Sequence, residues 1–126
     1  MTPFDGPMMV RGARGAIRVR EDTKDAVLDA TDRLLREMVR RNEIETDHIV
    51  SVIFTATDDL TSVFPAEAAR RLGMTRVPLL CAREMPVQGA MPLVIRVLMQ
   101  FHSDRTFADI DHVYLDGAEA LRDDLG

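Results

Sequence analysis

The sequence predicts one domain of the α+β (α/β-like) class, built on a mixed β-sheet with intervening helices, and three observations lead there. The segment from Asp22 to about Arg41 carries apolar residues at Val27, Leu28, Thr31, Leu34, Leu35, Met38 and Val39, the three-and-four spacing of a helix with one buried stripe. The run I-V-S-V-I-F-T-A, Ile49 to Ala56, and the run Val77 to Cys81 are continuous, short and apolar, as strands buried on both faces are. Turn and cap signals separate these segments and give the order β-α-β-α-β-α-β, with a short final strand at Ala118 to Leu121.

The elements follow in order. Residues 1–8, M-T-P-F-D-G-P-M, form a loose lead-in rich in Pro and Gly, and residues 9–126 form the domain. Met8 and Met9 are alternative natural starts. Met9 to Val19 holds β-branched residues interrupted by Gly12 and Gly15, which predicts a strand with a bend or bulge. Asp22 and Thr23 are suited to cap the long helix, with Asp25 in its first turn and Arg40 and Arg41 in its last to complement the dipole. Pro65 opens a short helix, P-A-E-A-A-R-R-L, and Gly73 closes it. Met91 to Phe101, apolar at most positions with Arg96 inside, reads as a helix opened by Pro92. His112 to Leu115 is a further apolar strand.

Composition narrows the function. With 126 residues, 46% hydrophobic and 29% charged, the chain has the make-up of a globular domain able to bury roughly two-thirds of its unfolded surface. A net charge of −5 lacks the basic face that nucleic acid demands. One cysteine forms no internal disulfide. No apolar run reaches the length of a membrane span, and the N-terminus lacks the basic and apolar parts of a signal peptide, so the expected location is the cytoplasm. No phosphate-binding glycine loop, metal-spaced Cys/His cluster or nucleophile elbow occurs, so no cofactor or metal is implied. His48 and His102 fall near element ends, where solvated surface is the simpler reading, and His112 opens a strand.

What stands out is charge in apolar surroundings. Arg33, Arg36, Arg40 and Arg41 lie on the polar side of the long helix. Arg14, between Ala13 and Gly15, has small neighbours that let a ligand approach; Arg83 and Glu84 end a buried strand; Arg96 interrupts V-I-R-V-L-M. A buried charge needs a partner, because unpaired burial costs several kcal/mol. Two partners satisfy it: an internal carboxylate such as Glu84, or an anionic ligand gripped bidentately.

The motifs M-V-R-G-A-R-G-A, A-T-D-D-L-T-S-V-F-P-A, V-P-L-L-C-A-R-E-M, I-R-V-L-M and H-V-Y-L-D, in this order between about Met9 and Asp124, resemble the monofunctional chorismate mutases of the AroH class. The resemblance implies a homotrimer forming a pseudo-α/β-barrel, helices on one face of each sheet, and active sites between subunits that convert chorismate to prephenate on the route to phenylalanine and tyrosine. The rearrangement is intramolecular and needs neither proton transfer nor a covalent intermediate. The resemblance further implies that Arg14 and Tyr114 hold the side-chain carboxylate, that Arg96 stands beside the ether oxygen, and that Glu84 takes the ring hydroxyl with Cys81 next to it. It implies an apolar wall from Phe64, Ala66 and Leu79, and a mouth closed by Arg70, Leu121 and Arg122, with Phe64 and Arg70 across a subunit interface from Arg14 and Arg96. Arg83 points away from Glu84 if the strand pleat persists, and stays outside the site.

Two positions depart from the family pattern. Glu67 stands where a lysine is common, replacing a cation near the mouth or pairing with Arg70 or Arg122; Leu80 stands where a threonine is common. Two other functions share such a pocket: an imine deaminase of the RidA group, and a non-catalytic trimeric binder of small carboxylates. The R-G-A-R-G and C-A-R-E-M segments favour the mutase. No separate effector-binding domain is present, so feedback control within the chain is not expected.

Overall fold

The computed structural model describes residues 7–124. Strand β1 (Met9–Arg18) is followed by helix α1 (Lys24–Arg41), strand β2 (Ile49–Ala56), helix α2 (Ala66–Arg71), and strands β3 (Leu79–Arg83), β4 (Val94–Ser103) and β5 (Val113–Leu115). A short helix α3 (Leu121–Asp124) ends the described chain, and one-turn 3-10 helices precede β2, β5 and α3. The five strands form one sheet in the order β3-β2-β4-β1-β5. β4 is antiparallel to both β1 and β2, while β2–β3 and β1–β5 are parallel, so the sheet is mixed. Of the predicted lead-in, residues 1–6 lie outside the described residues.

Helix α1 begins at Thr23, whose backbone is extended and whose hydroxyl accepts from the Ala26 N–H at 3.2 Å, supplying one of the helix's orphan donors with a partner. Its stripe, Leu34, Leu35 and Met38, is fully buried against the sheet. The facing sheet surface is Ala13 and Ile17 of β1, Val52 and Phe54 of β2, and Ile95, Val97, Met99 and Phe101 of β4, all buried. α1 and α2 therefore share a single face of the sheet, and the main core lies between.

Three expectations are corrected. Residues 91–101 contain no helix: β4 runs Val94–Ser103, with Ile95, Val97, Met99 and Phe101 facing the core and Arg96, Leu98, Gln100 and His102 facing away. The period is two, and apolar Val94 and Leu98 on the outward face disguise it as a continuous apolar run. β1 carries no bulge, since its pairing with β4 runs unbroken from Met9↔Ser103 to Arg18↔Val94; the shift lies in β2, between Ile49 and Ser51. Ala118 to Leu121 is a 3-10 turn leading into α3 rather than a strand, introduced by Gly117 at φ +96°, a conformation glycine adopts without Cβ strain.

Gly15 is in β1 because α1 crosses it closely. A Cβ there would lie 2.5 Å from Met38 Sδ and 3.1 Å from Leu34 Cδ1, both from fully buried side chains. Gly15→Ala is expected to destabilise the fold by about 2 kcal/mol, through overpacking, whereas Gly12→Ala, 3.5 Å from Leu98, stays near wild type. Urea unfolding of the two variants separates them.

The second sheet face has no helix along most of its length. Across it run the rows Ala82–Thr55–Arg96–Ala16–Tyr114 and Leu80–Ile53–Leu98–Arg14. Among the described residues only one end is covered, where Ala118 and Leu121 pack on Ala16 and Val94 in a small satellite core. Leu80 and Leu98 remain exposed at 60% and 37%.

Candidate active site

These two rows together build a cavity of about 320 Å³, lined by Arg14, Ala16, Ile53, Thr55, Glu84, Arg96, Leu98 and Tyr114 among others. Four strands contribute because alternate residues of each point to the same face, so positions far apart in the chain meet side by side. Arg96 and Glu84 are both partly buried and face one another, with Arg96 Nε 3.8 Å from Glu84 Oε2. Both partners weighed for Arg96 are thus on offer at once: a carboxylate beside it, and an open cavity in front. Glu84 lies just past β3, but its N–H donates to Ala56 O at 2.9 Å and carries the ladder one residue further. The Thr55 hydroxyl donates to Glu84 Oε2 and fixes the carboxylate toward Arg96.

The start of β4 is held with equal care. Leu93 adopts φ +57°, which costs a side-chain-bearing residue about 1–2 kcal/mol. Its N–H donates to both oxygens of Asp59, at 3.2 and 3.1 Å, while the Val19 N–H donates to Leu93 O at 2.7 Å. The Thr57 hydroxyl donates to Asp59 Oδ1 at 2.6 Å and accepts from the Val94 N–H at 3.0 Å. The A-T-D-D-L motif therefore fixes the backbone three residues before Arg96.

Two neighbouring cavities open from the first. One, of about 750 Å³, shares Glu84 and Arg96 and includes Met85, Met91, Val94 and Leu121. The other, of about 280 Å³, shares Arg14 and Tyr114 and includes Asp111, His112 and Arg122. The Arg122 guanidinium carbon lies 6.0 Å from the Tyr114 ring centre. His112 Nδ1 accepts from the Arg14 N–H at 2.9 Å, and burial, then the nearby Arg14 charge, hold its pKa below the usual histidine value.

The remaining predicted residues stand elsewhere. Cys81 is on the opposite face of β3 from Leu80, and lines a separate cavity of about 650 Å³ with Phe64 and Arg83. Phe64 is 73% exposed, an unusual state for a phenylalanine in a lone chain. Its loop is anchored by Asp22, which accepts from the N–H groups of Thr61 and Ser62 and from the Thr61 hydroxyl; the Ser62 side chain foremost, then the Thr61 donors, hold the Asp22 carboxyl below its ordinary pKa. Ala66 is buried in α2, Leu79 is half-buried in β3, and Arg70 is exposed. Glu67 pairs with Arg71 at 3.0 Å, the i,i+4 neighbour, in place of Arg70 or Arg122. Arg83 is exposed and pairs with Asp58 at 3.5 Å, outside the Arg14–Glu84–Arg96 cavity. Sequence reading missed Thr55, Asp59 and His112. For Thr55 the one signal was a hydroxyl side chain within an apolar strand.

A mixed sheet with α1 and α2 on one face, carrying two arginines, a glutamate and a tyrosine into one cavity on the other, defines a small α+β domain with a ligand-sized site. The chorismate mutase type I family model matches residues 10–125, and the chain belongs to that family. Chorismate mutase AroH of Thermus thermophilus is 55% identical over 118 residues, covering 93% of this chain and 97% of that protein. Chorismate mutase AroH of Bacillus subtilis (strain 168) is 41% identical over 119 residues, covering 94% of each. A solved chorismate mutase from Clostridium thermocellum superposes with a TM-score of 0.86 at 44% identity, covering 87% of this chain and 98% of that one.

Proposed function

We infer that this protein is a chorismate mutase, an isomerase that rearranges chorismate to prephenate in aromatic amino acid biosynthesis. The observation that carries the reading is the partly buried Arg96–Glu84 pair facing a cavity that Arg14 and Tyr114 also line, in a chain matched to the family over nearly its whole length. In the reaction the ether C–O bond breaks as a C–C bond forms, so atoms and electrons balance within one molecule. The protein's task is to fold the enolpyruvyl arm over the ring and to meet the negative charge that grows on the ether oxygen. Arg14 and Tyr114 bind the side-chain carboxylate, Glu84 accepts from the ring hydroxyl, and Arg96 stands beside the ether oxygen. Leu121 and Arg122 line the mouth.

The active unit is a homotrimer whose uncovered sheet faces meet at the centre. Phe64, with Ala66 and Leu79 in its apolar wall, and Arg70 of one subunit complete the site formed by Arg14 and Arg96 of the next. Phe64 standing in water in the single chain supports this reading, as do Leu80 and Leu98 on a face without helices. Among the described residues no helix is long and apolar enough to cross a membrane, and the proposed location is the cytoplasm.

The test mixes purified protein with chorismate, follows loss of the diene absorbance and identifies the product by NMR. Prephenate forming far above the spontaneous rate is the expected result. Chorismate binding without acceleration would move the protein to the non-catalytic binders.

A further inference from the structure

We propose that His112 is a positioning residue for Arg14: its neutral imidazole holds the Arg14 backbone and thereby sets the reach of the guanidinium into the cavity. The inference rests on the reading of Arg14 as a carboxylate binder. Parallel pairing of β1 with β5 spans Gly15↔Val113 to Ile17↔Leu115 and goes no further. The next N–H along β1, that of Arg14, is taken up by His112 Nδ1 at 2.9 Å, so a side chain continues the ladder where the strand pairing stops. Nδ1 accepts only while it carries no proton.

His112 is itself held in place from the far side of the sheet. Asn42, which caps the C-terminus of α1 and is 2% exposed, donates to Asp111 O at 2.9 Å and accepts from the Asp111 N–H at 2.8 Å. The same side-chain amide donates to Met38 O at 3.0 Å. The end of α1, the segment before β5 and the middle of β1 are tied through Asn42, Asp111, His112 and Arg14 in sequence. Of these four residues, the family motifs single out Arg14 alone for chemistry.

The groups around the imidazole decide its charge. Arg14 from β1 and Arg122 from α3 disfavour protonation, as does burial, while Asp111 beside it favours it. Tyr114 of β5 lines the same cavity. With the pKa below the ordinary histidine value, His112 is neutral at neutral pH and the bond to Arg14 is intact. As pH falls through the lowered pKa the acceptor is lost, and a third cation appears beside Arg14 and Arg122.

The test measures KM and kcat for chorismate against pH in the wild type, His112→Leu, His112→Asn and Arg14→Lys. It also follows the Arg14 amide resonance through an acid titration of the intact wild-type protein. The Asn side chain offers an oxygen near the Nδ1 position and does not titrate. Expected at neutral pH is a KM about three- to tenfold higher in His112→Leu with kcat nearly unchanged, the effect of one lost hydrogen bond. His112→Asn keeps a near wild-type KM, which stays flat over the acid range in which the wild-type KM climbs. The Arg14 amide shifts as the imidazole titrates. A wild-type KM in His112→Leu, alongside a raised KM in Arg14→Lys, would leave Arg14 as carboxylate binder and overturn the role of His112. An unchanged KM in Arg14→Lys removes the reading of Arg14 instead, and with it the effect on KM assigned to His112. If His112→Leu does not fold, His112→Asn and the wild-type titration decide, and an Arg14 amide blind to the imidazole overturns the proposal.

Discussion

Arg96→Ala is expected to lower kcat for chorismate by about a hundredfold or more while leaving the fold intact. A half charge growing on the ether oxygen about 3 Å from a guanidinium, at an effective dielectric of about 20, gains roughly 3 kcal/mol. That is on the order of a hundredfold in rate. Removing the side chain also frees Glu84 from its partner at 3.8 Å, leaving a partly buried carboxylate to face a dianionic substrate. Replacement by citrulline, which keeps the shape and loses the charge, separates the two contributions: kcat collapses while ground-state binding is largely spared. A citrulline variant with wild-type kcat would show that Arg96 acts through packing alone. The fold survives because the Arg96 side chain lies on the uncovered face and contributes nothing to the core under α1.

The second large effect belongs to Leu98→Asp. Leu98 is in the middle of the uncovered face, between Ile53 of β2 and Arg14 of β1. In a single chain, 37% exposed, an aspartate at this position costs little. In the proposed trimer it becomes a buried ion in each of three subunits, and desolvation costs several kcal/mol each even with Arg14 beside it. The expected result is a folded monomer by light scattering and circular dichroism, with chorismate turnover at the spontaneous rate. Leu98→Met, of like volume and polarity, remains trimeric and active. A trimeric, active Leu98→Asp would mean that subunits meet elsewhere.

Much of the fold is readable in the residues, and the failures have physical causes. α1 declares itself because its stripe is strictly periodic and Thr23 supplies the cap. β2 has the bounds its sequence predicts, Ile49–Ala56, because a continuous apolar run bounded by polar residues has few other uses. β4 departs from the predicted helix because Val94, packed under Ala118 and Leu121, and Leu98 put apolar residues on its outward side too and erase the alternation that marks a strand. The grouping of Arg14, Glu84, Arg96 and Tyr114 was legible only through the family resemblance. Their spacing along the chain says nothing of adjacency until the strand order is known. Thr55, Asp59 and His112 escaped because each acts on another residue's backbone or carboxylate, and such service leaves no pattern in a linear sequence.

The strand order has a consequence for how the protein is made. β1 is synthesised first, yet its neighbours in the sheet are β4, which begins at Val94, and β5, which ends at Leu115. A chain emerging from the ribosome therefore holds its first strand without either partner until most of the sequence is out. Only α1, α2 and the parallel pair β2–β3 can form beforehand. Pairings this distant in sequence are slow to close, because chain entropy is lost before any contact compensates it. The waiting strand carries the apolar residues of a future core, Ala13, Ile17 and Val19 beyond it, and offers them to chaperones or to other nascent copies. The cavity therefore first exists only once β4 and β5 have both been made and have closed on β1.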